Sequence, residues 1–221
     1  HWKGVRLATV AKGASLLAPQ IQVPVYDLLS SKHRYGLEAR LSRWLSQELE
    51  TQLGPLYADL NTLPKGPARG ILFQLREHLG SMPRAVAASV ISRLGREDRQ
   101  ALRRIGVRIG RESVLAPMLL KPAAVAIRGM LYDLNHNRQG TPLPNPGRMS
   151  VRMERAVPAT FYEAIGYRPL GKLAVRVDIV ERVAAGAWEL SRSGAFPPPV
   201  GLMNLVGCGI EDMTEVLKRL G

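Results

Sequence analysis

From Gly36 onward the apolar residues Leu37, Leu41, Trp44, Leu45, Leu49 and Leu53 recur at helical spacing. Arg40, Arg43, Gln47 and Glu50 take the opposite face, so the pattern predicts an amphipathic helix stopped by Gly54-Pro55. Trp44 is expected in the core-facing stripe of that helix rather than as a base-stacking platform. Before it, Val5–Val10 and Leu16–Val25 combine β-branched residues with Pro19 and Pro24 and read as short extended segments.

The middle of the chain is punctuated by glycine and proline. Leu63–Pro67 is a turn, followed by a helix carrying Ile71, Leu72, Leu75 and Leu79 and closed by Gly80. Ser81 before Met82-Pro83 has the form of an N-cap and first-turn proline, predicting a helix through Val86, Val90, Ile91 and Leu94 to Gly95. Another follows Arg96, with Leu102 and Ile105 inward and Gly106 as its stop. Short turns between such helices imply a compact bundle or array, and no fixed-period repeat supports a solenoid. Val107–Val114 reads as a strand interrupted at Gly110, and Ala123–Asn135 as a helix with Val125, Ile127, Met130, Leu131 and Leu134 apolar.

Residues 140–147 concentrate proline and glycine and mark a boundary. Beyond it, Met149–Val157 and Leu173–Val177 are strand candidates and Pro158–Ile165 a short helix closed by Gly166. A longer helix presents Val177, Val180, Val183, Ala184, Ala187 and Leu190. After Pro197-Pro198-Pro199, Val200–Val206 and Glu211–Leu220 form two short helices around Gly207-Cys208-Gly209. The expected fold is mainly α within the α+β class. It divides into a helical domain with extended N-terminal segments (1–139), a linker (140–147) and a smaller α+β subdomain (148–221) ending in a helical hairpin.

Composition narrows the function. Of the 221 residues, 46% are hydrophobic and 22% charged, which excludes wholesale disorder. The imbalance lies in charge: 31 Lys plus Arg against 18 Asp plus Glu give a formal +13, and a polyanionic partner fits this better than a small neutral substrate. Cys208 stands alone, and His1, His33, His78 and His136 are too scattered for a metal-ligand pair, so neither a disulfide scaffold nor a zinc site is expected. No apolar run reaches the roughly 20 residues of a membrane span. A soluble, cytoplasmic chain without membrane contact is expected, and its start at His1, without a signal peptide, reads as a segment of something longer.

Catalytic motifs are absent from the sequence: no phosphate-binding G-x-x-x-x-G-K-[ST] loop, no G-x-G-x-x-G, no G-x-S-x-G and no H-E-x-x-H. No cofactor is expected. The densest feature is arginine. Arg84, Arg93, Arg96, Arg99, Arg103, Arg104, Arg108 and Arg111 face only Glu97 and Asp98 between positions 84 and 111. The guanidinium fork suits phosphate, and Arg96, Arg99 and Arg103 share one helical face with Arg104 beside it. Arg108 and Arg111 carry the charge past Gly106, and Lys121 and Arg128 are candidates to extend it. A solvated face with local ion pairing is the competing reading of the same row. Few aromatics are interleaved, so contact with the backbone of single-stranded RNA or DNA is expected rather than base stacking. The segment Leu205–Val216 fits both a helix–hairpin–helix and a helix–turn–helix, yet Glu211 and Asp212 stand where a phosphate would arrive. A plain αα-turn fits as well, with Leu202, Val206, Cys208, Met213 and Val216 inward and Cys208 a small hydrophobe.

Leu102-Arg-Arg-Ile-Gly-Val-Arg-Ile-Gly-Arg-Glu-Ser-Val114, continuing through Pro117-Met-Leu-Leu-Lys-Pro122, resembles the region after the motor domains in the mitochondrial degradosome RNA helicase family, and its bacterial relatives most closely. Ala159–Tyr167, Ala174–Asp178, Leu205–Cys208 and Glu211-Asp212 agree with it, so the resemblance runs from about Gly70 to the last residue. It implies a superfamily-two helicase in which two RecA-like domains hydrolyse ATP and an accessory region guides the strand. The ATP-binding and DExH motifs are missing here, so this chain is expected to be non-catalytic, with nucleic acid and the helicase's motor domains as partners. The resemblance brings no catalytic residue, and the arginines are candidates from local charge alone. The rival expectation is a protein-interaction or structural module packed on the motor core.

Overall fold

The computed structural model describes residues 6–25 and 30–221; Val5, in the first expected extended segment, and His1 lie outside them. Strands β1 (Thr9–Ser15) and β2 (Ala18–Gln22) pair antiparallel with Thr9 opposite Gln22, where extended chain was expected. Helix α1 (Ser31–Gln52) begins ahead of Gly36 because Ser30 Oγ accepts a hydrogen bond from the His33 amide at 3.5 Å. Its core face is the fourfold row Leu45, Leu49 and Leu53, all buried. Trp44 is 57% exposed, which overturns its core placement. One residue before Leu45 is about 100° round the helix, and the leucine row already fills the contact.

A short helix α2 (Gly54–Tyr57) leads to α3 (Pro67–Glu77), whose Ile71, Leu72 and Leu75 are fully buried. The helix expected from Ser81 does not form. Leu79 and Gly80 both have positive φ, 51° and 107°, and turn the chain back, so Ser81–Pro83 becomes strand β3. A 3-10 turn, Arg84–Ala87, and the single-turn helix α4 (Ala88–Ile91) occupy the rest of the expected span. Helix α5 (Arg96–Arg104) is followed by β4 (Arg108–Ile109) and β5 (Ser113–Leu115), an antiparallel hairpin turning at Gly110. β5 is central in the sheet order β3-β5-β4. Helix α6 (Pro122–Asn135) closes this part of the chain.

After residues 140–147 come β6 (Ser150–Arg152), α7 (Ala159–Ala164), β7 (Tyr167–Leu170) and β8 (Leu173–Arg176), with sheet order β6-β8-β7. The expected Met149–Val157 strand is shorter, and β7 is an addition whose Pro169 is tolerated because the strand lies at the sheet edge. Helices α8 (Val177–Ser191), α9 (Val200–Val206) and α10 (Ile210–Leu220) complete the chain. Val177, Val180, Val183 and Ala184 of α8 are buried, but Leu190 is exposed, because α8 outruns the surface it packs on.

Two apolar clusters result. The larger joins α1, α3, α5 and α6 to Val157, Phe161, Ile165 and Tyr167, so residues on both sides of 140–147 enter it. The smaller joins α8, α9 and α10 around Ile179, Val183, Val206, Met213 and Val216. Strand β8 is the wall between them: Ala174 enters the larger cluster, and its neighbours Leu173 and Val175 enter the smaller. The period-2 alternation of a strand thus serves two cores at once. The protein is therefore a mostly helical α+β mixture with small antiparallel sheets, and among the described residues no helix is long and apolar enough to cross a membrane.

Candidate nucleic-acid interface

Helix α5 orders its charges along its own dipole. Glu97 and Asp98 occupy the first turn and Arg103 and Arg104 the last, and Asp98 Oδ2 accepts from the Gly95 amide at 2.9 Å. Ala101 and Leu102 are buried against the larger cluster, which leaves Arg96, Arg103 and Arg104 exposed and Arg99 half-buried. Arg96, Arg99 and Arg103 come together with Leu94, Gly95 and Gln100 around an open depression of about 520 Å³. Arg99 Nη2 donates to the Ile91 carbonyl at 3.5 Å, and Arg93 Nε to the Ser89 carbonyl at 3.1 Å.

None of the ion pairs among the described residues uses Arg96, Arg99, Arg103, Arg104, Arg108 or Arg111. Arg108 is exposed on β4, and Arg84 reaches inward, Nη1 donating to the Gly110 carbonyl at 2.8 Å. Lys121 is exposed at the N-cap of α6, apart from the depression.

Arg128 does not extend the track. It is completely buried, so no phosphate reaches it. Its helix turns it inward because Ala124, Arg128 and Leu131 fall on one stripe of α6, all buried. Nη1 donates to the Leu119 carbonyl at 3.0 Å and Nη2 to Ser81 Oγ at 2.7 Å, while Nε has no partner. No carboxylate pairs with this guanidinium, and burial pushes its pKa down to about 9. Gly166, at φ +90°, leaves it room, since a Cβ there would lie 2.9 Å from Nη1.

Arg111 has a neighbour that local charge did not indicate. Its guanidinium lies 4.5 Å from the ring centre of Trp188 on α8, and Arg192 lies 5.7 Å from the same ring. The hairpin turn is latched there by Glu181, whose carboxylate accepts from the amides of Arg111, Glu112 and Ser113 at 2.6, 3.0 and 2.6 Å. Three amides converging on one carboxylate form an anion nest. Gly110 is required for this closeness, because a Cβ there would come within 2.3 Å of the Glu181 carboxyl carbon. Trp188 and Glu181 are two helical turns apart on one face of α8, a spacing visible in the sequence, but only the fold brings the hairpin to them.

The terminal hairpin carries acids at the start of its second helix. Asp212 pairs with Arg152 at 2.9 Å, and Glu211 shares the first turn of α10 with it. Gly207 turns the chain at φ 75°; Val206, Met213 and Val216 are buried, and Leu202 and Cys208 half-buried. Burial, with Asp212 nearby, pushes the Cys208 thiol pKa up, which keeps it protonated. Among the described residues no group of three or more His, Cys, Asp or Glu is placed to hold a metal ion. Comparison with protein-family models, curated proteins and solved structures returns no match.

Proposed function

We propose that this chain is a non-catalytic accessory domain of an ATP-dependent, superfamily-two nucleic acid helicase, and that it holds the backbone of single-stranded RNA or DNA. The observation that carries the reading is the α5 row: Arg96, Arg99 and Arg103 gather around one open depression, and none of them enters an ion pair among the described residues. Phosphates are the chemistry such a row fits, by charge and by the guanidinium fork. Exposed Arg104 and Arg108 continue it toward the hairpin. The likeness of Leu102–Val114 to the mitochondrial degradosome RNA helicases supplies the helicase context. Large exposed apolar side chains, Tyr35 and Trp44 on α1 and Phe73 on α3, favour the second reading, a module packed on the motor core.

Fluorescence titration with single-stranded RNA and DNA oligomers at several salt concentrations tests the proposal. Affinity is expected to fall steeply with salt, and replacing both Arg103 and Arg104 with Glu should weaken every sequence alike, by roughly tenfold or more. Salt-insensitive binding, or none tighter than about 0.1 mM at low salt, overturns it.

A further inference from the structure

A second concave surface lies between the C-terminal half of α8, the segment around Phe196 and the end of α10, with a volume of about 620 Å³. Trp188, Phe196, Leu217 and Leu220 give it an apolar lining, and Arg111 and Lys218 give it positive charge. Trp188 is 48% exposed, an uncommon position for the largest apolar side chain unless a flat surface is to be met. Glu112, which also lines the groove, pairs with Arg168 at 2.8 Å, and Glu181, beside it, is held by the hairpin amides. Arg111 and Lys218 enter none of the ion pairs among the described residues, and the aromatic face lies under a guanidinium rather than under another apolar group.

We propose that this groove is a base-stacking site for single-stranded nucleic acid. A nucleobase lies on the Trp188 indole in place of the Arg111 guanidinium, which swings to the adjoining phosphate with Lys218. The exchange is favourable in kind, because a base and an indole offer each other more flat area than a cation offers the indole. Charge complementarity selects the occupant: an acidic peptide satisfies the cations but brings no extended π-face to the tryptophan. Glu181 acts as a positioning residue, since it fixes the backbone from which Arg111 reaches the ring. The inference rests on the nucleic-acid reading and deepens it, adding base contact to a surface otherwise expected to follow only the phosphate chain.

The test compares two 12-mers of equal phosphate count, oligo(dT) and an abasic deoxyribose-phosphate chain, titrated against the full chain and its Trp188→Ala and Trp188→Tyr variants. Oligo(dT) should bind roughly tenfold more tightly than the abasic chain. Trp188→Ala should erase that difference without altering the salt slope, and Trp188→Tyr should keep most of it. Quenching of tryptophan fluorescence by oligo(dT) should shrink in Trp188→Tyr. Equal, salt-sensitive binding of both oligomers, unchanged by Trp188→Ala, overturns the stacking site and leaves the arginine surface standing. Failure of both oligomers to bind, or preference for an acidic peptide of equal charge, overturns both.

Discussion

Arginines before and after residue 140 serve different ends. The ion pairs of Arg152 with Asp212, Arg168 with Glu112, Arg176 with Asp178 and Arg219 with Glu215 all take their arginine from the later part. No guanidinium of the row from Arg96 to Arg111 enters an ion pair among the described residues. Two of these pairs fasten one element to another, Arg152 tying β6 to α10 and Arg168 tying β7 to the hairpin, and the other two are local to α8 and α10. In the earlier part Arg96, Arg103, Arg104 and Arg108 face outward, Arg76 and Arg84 bind backbone carbonyls, and Arg111 lies on Trp188. Of the formal excess of +13, +11 lies before residue 140. Arg128 belongs to neither group, because it is buried, charged and held only by a carbonyl and a hydroxyl.

The contrast can be broken most forcefully at Arg128. Replacing it with Ala leaves a cavity and an orphaned Leu119 carbonyl, and should lower stability by about 3 kcal/mol in urea denaturation. A loss no larger than that of Arg103→Ala would show that the buried arginine is as dispensable as the surface ones. Next comes Glu181. Its removal in Glu181→Ala strands three hairpin amides and should cost about 2 kcal/mol, with amide exchange at Arg111, Glu112 and Ser113 accelerating together. Unchanged exchange at those amides would mean that the hairpin holds itself. The smallest effect is expected at the exposed pair, where Arg152→Ala should change the denaturation midpoint by less than about 1 kcal/mol. A larger loss would raise the fastening role of the later arginines above that of ordinary surface pairs.

Much of the helical framework was legible because its signal is local. The apolar row Ile71, Leu72 and Leu75 of α3, Gly106 ending α5 and the valine row of α8 are dictated within a few residues of themselves. Ser81 misled because its cap-like form depends on the next turn being helical, whereas Leu79 and Gly80 send the chain into a sheet whose partner, Val114, lies far along the sequence. β7 escaped notice because proline argues against a strand until its edge position is known. The candidate site divides in the same way. The α5 row follows from helical spacing, but Arg128 was grouped with it by charge, although its place on the Ala124–Leu131 stripe already pointed inward. The meeting of Arg111 with Trp188 had no local signal, since it arises only when the hairpin lands on α8.

The approach of Gly110 to Glu181 imposes an order on how this protein can vary. While glutamate stands at 181, no side chain fits at 110 without displacing it, so position 110 is frozen by a residue far away in the chain. Once 181 becomes shorter, 110 is released, but a larger residue accepted there would then block the return of glutamate. The two positions are therefore coupled: a residue larger than glycine at 110 and a carboxylate latched on the hairpin amides from 181 exclude each other in this geometry.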